Sequence, residues 1–186
     1  MPSFFLALLA AAVATLGGRE AVRVARLAAA LGSAWGLLVA GWIACIAACL
    51  VAARLGADLA AQLAPEAKAM FVAIALLVSA VELAVLRPGR APAEPTRSFG
   101  AILLVLGVAQ LTAAASFLVV ALAAASGAPW LAGAGGALGS AAVLTAAWSM
   151  GSEWETRIPL AVVRFGVAGL LLIAALVTGL TARGLL

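Results

Sequence analysis

The residues of this chain best equipped for chemistry are few, and they lie among apolar neighbours. Gly17 and Gly18 interrupt a long apolar run, and Arg19 and Glu20 follow at once, with Arg23 and Arg26 beyond them. A charged side chain at the centre of a bilayer costs about 2.5–3.5 kcal/mol on insertion scales, so charges at such a depth need partners or a wet cavity. Arg19, Arg23 and Arg26 recur at spacings of four and three, which puts them on one helical face. Two arrangements fit. In one, a helix breaks at the glycines and Thr15, Gly17, Arg19 and Glu20 line a pathway. In the other, a short span is followed by an amphipathic interfacial helix with an arginine face.

Three further groups are candidates. Gln110 and Ser116 are neutral polar residues inside an apolar segment, suited to hydrogen bonding between helices or to lining the same pathway. Glu82 precedes Arg87 by about one turn. It is expected to pair with Arg87 or Arg90 near the membrane surface, with a proton-carrying role inside the bundle as the alternative. Cys45 and Cys49 are one helical turn apart with no second pair and no histidine in the chain, which argues against zinc and for buried packing. Glu153, Glu155 and Arg157 read as an exposed loop. No hydrolase triad, phosphate loop or metal cluster is present in the pattern, so no cofactor and no enzymatic activity are expected.

These groups must be positioned by elements that live in lipid. The 186 residues are 67% hydrophobic and 10% charged, with a mean hydropathy of +1.24, far from the mixture of a soluble domain. The net charge of +4 comes from side chains at segment ends rather than from a basic patch interleaved with stacking aromatics, which excludes nucleic acid as the natural partner. The opening MPSFFLALLAAAVATLGG has the apolar run of a secretory signal without its positive start.

Six apolar segments follow along the chain: about Ser3 to Leu31 with the glycine interruption, Ala34 to Ala53, Lys68 to Leu86, Phe99 to Ser126, Pro129 to Met150 and Leu160 to Leu180. Each is long enough to approach the roughly 20 residues a membrane helix needs. Pro88, Pro92 and Pro95 mark an extended linker, dividing residues 1–86 from 99–186 at 87–98. Sliding the chain by 95 residues sets Ser3-Phe4 on Ser98-Phe99, Gly32 on Gly127, Trp35 on Trp130, Gly41 on Gly136 and Gly56 on Gly151.

The expected fold is therefore an all-α integral membrane bundle of about six transmembrane helices, arranged as two three-helix repeats. Because three is odd, the repeats are expected to be inverted, an arrangement found in secondary transporters. Counting Lys and Arg gives Arg54, Lys68 and Arg183 to one face and Arg87, Arg90, Arg97 and Arg157 to the other. The expected topology in a cytoplasmic membrane has the linker inside and both termini outside. Trp35, Trp130 and Trp154 fall near segment ends, where indoles favour the interface. The glycines at 32, 36 and 41, and at 133, 135, 136 and 139, read as close-packing faces.

This layout resembles the Golgi-type calcium/manganese-proton antiporters and their bacterial relatives, within the LysE-like transporter superfamily. That family has two inverted three-helix halves, each opening on a helix with Glu-x-Gly-Asp-Lys/Arg-Ser/Thr, usually followed by Gln. The resemblance spans nearly the whole chain and is clearest in AQLTAAASFLVVALAAASGAPWLAGAGGALG. The first motif falls on Thr15-Leu16-Gly17-Gly18-Arg19-Glu20, where Gly17 and Arg19 agree with it. The second falls on Gln110 to Ser116, where Gln110 stands as the amide counterpart of the expected Glu. All four acidic residues of the family's ion site are replaced, and neutral oxygens do not supply the charge a divalent cation wants. The resemblance implies a secondary transporter of manganese, calcium or protons with an altered or lost cation site, in which Glu20 and Glu82 are the remaining carboxylates. Its alternative is a non-transporting partner or structural subunit, forming a homo- or hetero-oligomer with a related family member.

Overall fold

The computed structural model describes residues 2–89 and 97–185. The central part of the linker, with Arg90, Pro92 and Pro95, lies outside the described residues. The chain is almost wholly helical: α1 (Pro2–Gly17), α2 (Arg19–Leu31), α3 (Trp35–Gln62), α4 (Pro65–Val85), α5 (Phe99–Leu111), α6 (Ala114–Ser126), α7 (Pro129–Met150), a 3₁₀ turn at Gly151–Glu153, α8 (Trp154–Arg157) and α9 (Leu160–Ala182). Four helices are long and apolar enough to cross a membrane, or up to six if each bent pair is one span. This is the pattern of a multi-pass helical membrane protein.

The bent pairs are α1 with α2, at 60°, and α5 with α6, at 53°. The first bend sits at the predicted glycines, where Gly18 is extended (φ −76°, ψ 156°) and caps α2. The second has no such local signal, for nothing in Leu111-Thr112-Ala113 forbids helix. Proline opens α4 and α7, where its missing N–H costs nothing. Gly32 and Gly127 close α2 and α6 in the left-handed region, at φ 74° and 64°. Shifted by 95 residues, the bounds of α2 fall on Ala114 and Ser126, those of α6 itself.

Two boundaries differ from the expectation. Helix α3 runs on to Gln62 because Arg54 and Asp58, at 3.0 Å and one turn apart, let a polar end continue it. The segment read as an exposed loop keeps Glu153, Glu155 and Arg157 exposed but forms a 3₁₀ turn and α8. Glu155 takes both Nε (2.6 Å) and Nη2 (2.8 Å) of Arg26, which folds α8 onto α2. Trp154 is buried, whereas Trp35 and Trp130 are exposed.

Small residues build the core. Ala11 and Ala14 of α1 pack with Leu83, Ala114, Ala115 and Leu118, Ala7 packs with Ala123 and Ala132, and Ala40, Ala44, Ala48 and Ala52 follow one stripe of α3. Lipid tails are as apolar as leucine, so close backbone approach rather than expulsion of oil from water holds such a bundle together. The approach is tightest between α1 and α7: a Cβ on Gly135 would stand 2.1 Å from the carbonyl oxygen of Phe4, and one on Gly139 2.1 Å from that of Leu8. The residues 95 positions earlier are Ala40 and Ala44. Here α3 and α5 stand apart, leaving a cleft of about 470 Å³ lined by Ala44, Leu103 and Gly107. Helix α9 lies outermost against α4, exposing Val162, Leu170 and Ile173.

Gly139→Ala is expected to cost about 1–3 kcal/mol by overpacking against backbone, read as a lower melting temperature in detergent. Gly107→Ala, whose added Cβ meets nothing within 4 Å, is expected to leave the melting temperature unchanged or raise it.

Candidate functional site

The two helix breaks meet at the carboxylate of Glu82. Arg19, the first residue of α2, places Nε 3.0 Å from Glu82 Oε1. On the other side, the Ala114 N–H, the first of α6, donates to Glu82 Oε2 at 3.2 Å. Glu82 is 5% exposed and faces at one time a guanidinium from the first break, as an ion pair, and a helix N-terminus from the second. Both partners carry positive charge, one whole and one partial, so the buried carboxylate is paired on each oxygen. Glu82 thus turns inward to Arg19 rather than to Arg87, while Arg90 lies outside the described residues.

Arg19 also donates through Nη2 to the Thr112 carbonyl (3.1 Å) and to Thr112 Oγ1 (2.9 Å). Thr112 Oγ1 in turn donates back to the Val108 carbonyl at 3.0 Å. These contacts explain the break that has no glycine. The Thr112 carbonyl is drawn to Arg19 and the Ala114 N–H to Glu82, so two links of the helical ladder go to tertiary partners. Ser116 Oγ then donates to the Gln110 carbonyl at 2.6 Å across the gap, and Ser79 Oγ reaches the Ala114 carbonyl at 3.3 Å.

Glu20 is different. It is 1% exposed, and neither carboxyl oxygen has a hydrogen-bond partner among the described residues. The group folds back over Gly18: a Cβ there would stand 2.3 Å from Oε1. Gly18 therefore does two jobs, weakening the helix and leaving room for a carboxyl group.

Of the residues singled out by sequence, Arg19, Glu20 and Glu82 come together at the breaks. Thr15 does not join them; its hydroxyl donates to Ser140 Oγ of α7 at 3.0 Å, both fully buried. Gly17 packs instead on α9, where a Cβ would stand 3.1 Å from Arg164 Cα. Gln110 and Ser116 brace α5 against α6. Cys45 donates to the Ala137 carbonyl at 3.5 Å and, like Cys49, is buried packing.

The sequence pattern does not single out Thr112 or Arg164. Arg164 donates through Nε to the Leu83 carbonyl and through Nη2 to that of Ala84 at 3.0 Å, satisfying end carbonyls of α4. A signal for it exists: it is the one charge within Leu160 to Leu180, and an arginine at that depth needs a partner. Thr112 carries no such signal.

Among the described residues no three His, Cys, Asp or Glu side chains gather where they could hold a metal ion. The α3–α5 cleft and one of about 300 Å³ between α4 and α9 include none of the charged groups at the breaks. Chemically, the arrangement can hold and exchange charge. Arg19→Leu is expected to cost about 3 kcal/mol or more, because it strands a buried carboxylate. Arg19→Leu with Glu82→Leu is expected to recover at least half of that loss in thermal unfolding, and additive losses would show that the pair is not coupled.

No family model, curated protein or solved structure matches this chain, so the likeness to the calcium/manganese-proton antiporters stands on the residues alone.

Proposed function

We propose that this chain is a divergent secondary transporter of the calcium/manganese-proton antiporter type, with two inverted repeats and an altered cation site. The observation that carries the reading is the Arg19–Glu82–Ala114 bridge, which joins the breaks of two bent helices through one buried ion pair. Broken helices meeting at charge are how secondary transporters build their sites. The repeats are supported by the coincidence of α2 and α6 under the 95-residue shift and by the similar bends of 60° and 53°. In this reading the linker is cytoplasmic, the termini lie outside, and Arg19 takes the place beside Glu82 that a bound cation would otherwise neutralise. The bridge closes the crossing; its rupture opens it.

A second reading is favoured by the same closure. An internal cation already neutralises Glu82, and no carboxylate cage stands ready for a divalent ion among the described residues. That suits a non-transporting subunit paired with an intact family member.

Flux in proteoliposomes decides between them. With an imposed pH gradient, the transporter reading expects movement of manganese, calcium or protons, falling at least tenfold in Glu82→Gln. Absence of flux for all three, together with copurification of an acidic-motif relative from native membranes, would establish the subunit reading instead.

A further inference from the structure

Three ionisable groups at the breaks do not balance by pairs. Arg19 is committed to Glu82 and Thr112, and Arg164 to the end carbonyls of α4. Glu20 remains, buried, with neither oxygen partnered among the described residues. The other charged or titratable groups near it are Arg19 and Arg23 on its own helix and Glu82 on α4, together with Cys45 on α3. Arg23 is partly exposed on the outer face of α2 and makes no ion pair within 4 Å among the described residues. An ionised carboxylate in such a place costs several kcal/mol, a cost that a bound proton removes.

We infer that Glu20 and Glu82 form a proton-binding site in which one proton and one arginine are shared between two carboxyl groups. In the structure described, Arg19 pairs with ionised Glu82 and the proton sits on Glu20. In the exchanged state the Glu20 O–H bond breaks, its proton is bound by Glu82, the Arg19–Glu82 contact opens and Arg19 pairs with ionised Glu20. Arg19, Glu20 and Glu82 sum to zero charge in both states, and Arg164, which also acts on Glu82 from α9, keeps its charge throughout, so the exchange carries no net charge through lipid. Loss of the proton to solution leaves one negative charge, which admits one cation charge in return.

Arg19 acts on both carboxyl groups: it lies 3.0 Å from Glu82, and the Glu20 carboxyl, folded back over Gly18, is near enough to feel its charge. The exchanged state releases Glu82 from Arg19 and so breaks the bridge between α2 and α6. Proton position and helix-break geometry are then one equilibrium. The use of this site in transport rests on the transporter reading above; its existence does not.

The test counts protonated carboxyl groups by infrared spectroscopy of the reconstituted protein near neutral pH, using the C=O stretch that shifts in deuterium oxide. The unaltered chain is expected to show one such group. Glu20→Gln is expected to show none, since Glu82 keeps Arg19. Glu82→Gln is also expected to show none, because Arg19 then turns to Glu20. Arg19→Gln combined with Arg164→Gln, which removes both cations that act on Glu82, is expected to show two. Gly18→Ala, which pushes the Glu20 carboxyl group out of its place, is expected to shift the band. No band in the unaltered chain, a band that survives Glu20→Gln, or a full band in Glu82→Gln would overturn the shared site. If the infrared pattern holds and flux is absent, the site stands and the transporter reading falls. Flux without the pattern removes the shared site and leaves the transporter reading standing.

Discussion

A carboxylate placed inside a membrane bundle must find its counter-charges there, and Glu82 finds them on two different helices. One oxygen lies against Arg19 and the other accepts from the Ala114 N–H. Because Arg19 opens α2 and Ala114 opens α6, the same side chain fixes where both bent helices turn. Removing it would release a guanidinium and a helix N-terminus together. The rest of the interior is arranged to allow this: alanines and glycines bring α1, α3, α6 and α7 close enough that α4 can present Glu82 at the crossing.

That closeness is achieved unevenly. Gly135 and Gly139 let α7 lie against the backbone of α1, while at the corresponding Ala40 and Ala44 a groove lies between α3 and α5 beside Ala44. A helix pair can approach no closer than its largest facing side chains permit. The two halves thus share boundaries and bends but differ in tightness. The looser side is the one whose break is made by tertiary contacts, at Thr112, rather than by glycine.

Polar groups elsewhere obey the same constraint. Thr15 meets Ser140, Ser116 meets the Gln110 carbonyl, Cys45 meets the Ala137 carbonyl, and Arg164 covers two carbonyls at the end of α4. Each is a local solution that leaves nothing over. Apart from Arg19 Nε, which lies against Glu82, two groups are left over among the described residues, the Trp154 indole N–H and the Glu20 carboxyl group, and only the latter can carry a charge. Its exception, beside a glycine that makes room for it, is what sets the charge balance of the crossing apart from ordinary helix packing.

The class of the protein and much of its outline are legible in the order of its residues. Apolar runs of about membrane length, the Gly17-Gly18 interruption and the proline linker locate nearly every helix, because hydropathy and backbone preference act over a few neighbouring residues. Arg19, Glu20 and Glu82 also stand out there, since charges in apolar runs are conspicuous. Which charge meets which is a matter for the folded bundle: Glu82 has Arg87 and Arg90 nearer in sequence, yet pairs with Arg19. The second break is likewise invisible beforehand, for Thr112 and Ala113 are compatible with helix until Arg19 and Glu82 compete for their backbone. Trp154 lies in the core, packed with apolar residues far from it in sequence, beside an Arg26–Glu155 pair that ties α8 to α2. In each case the deciding partner lies between 32 and 129 residues away, where pairing is set by the packing of the whole bundle and not by any local pattern.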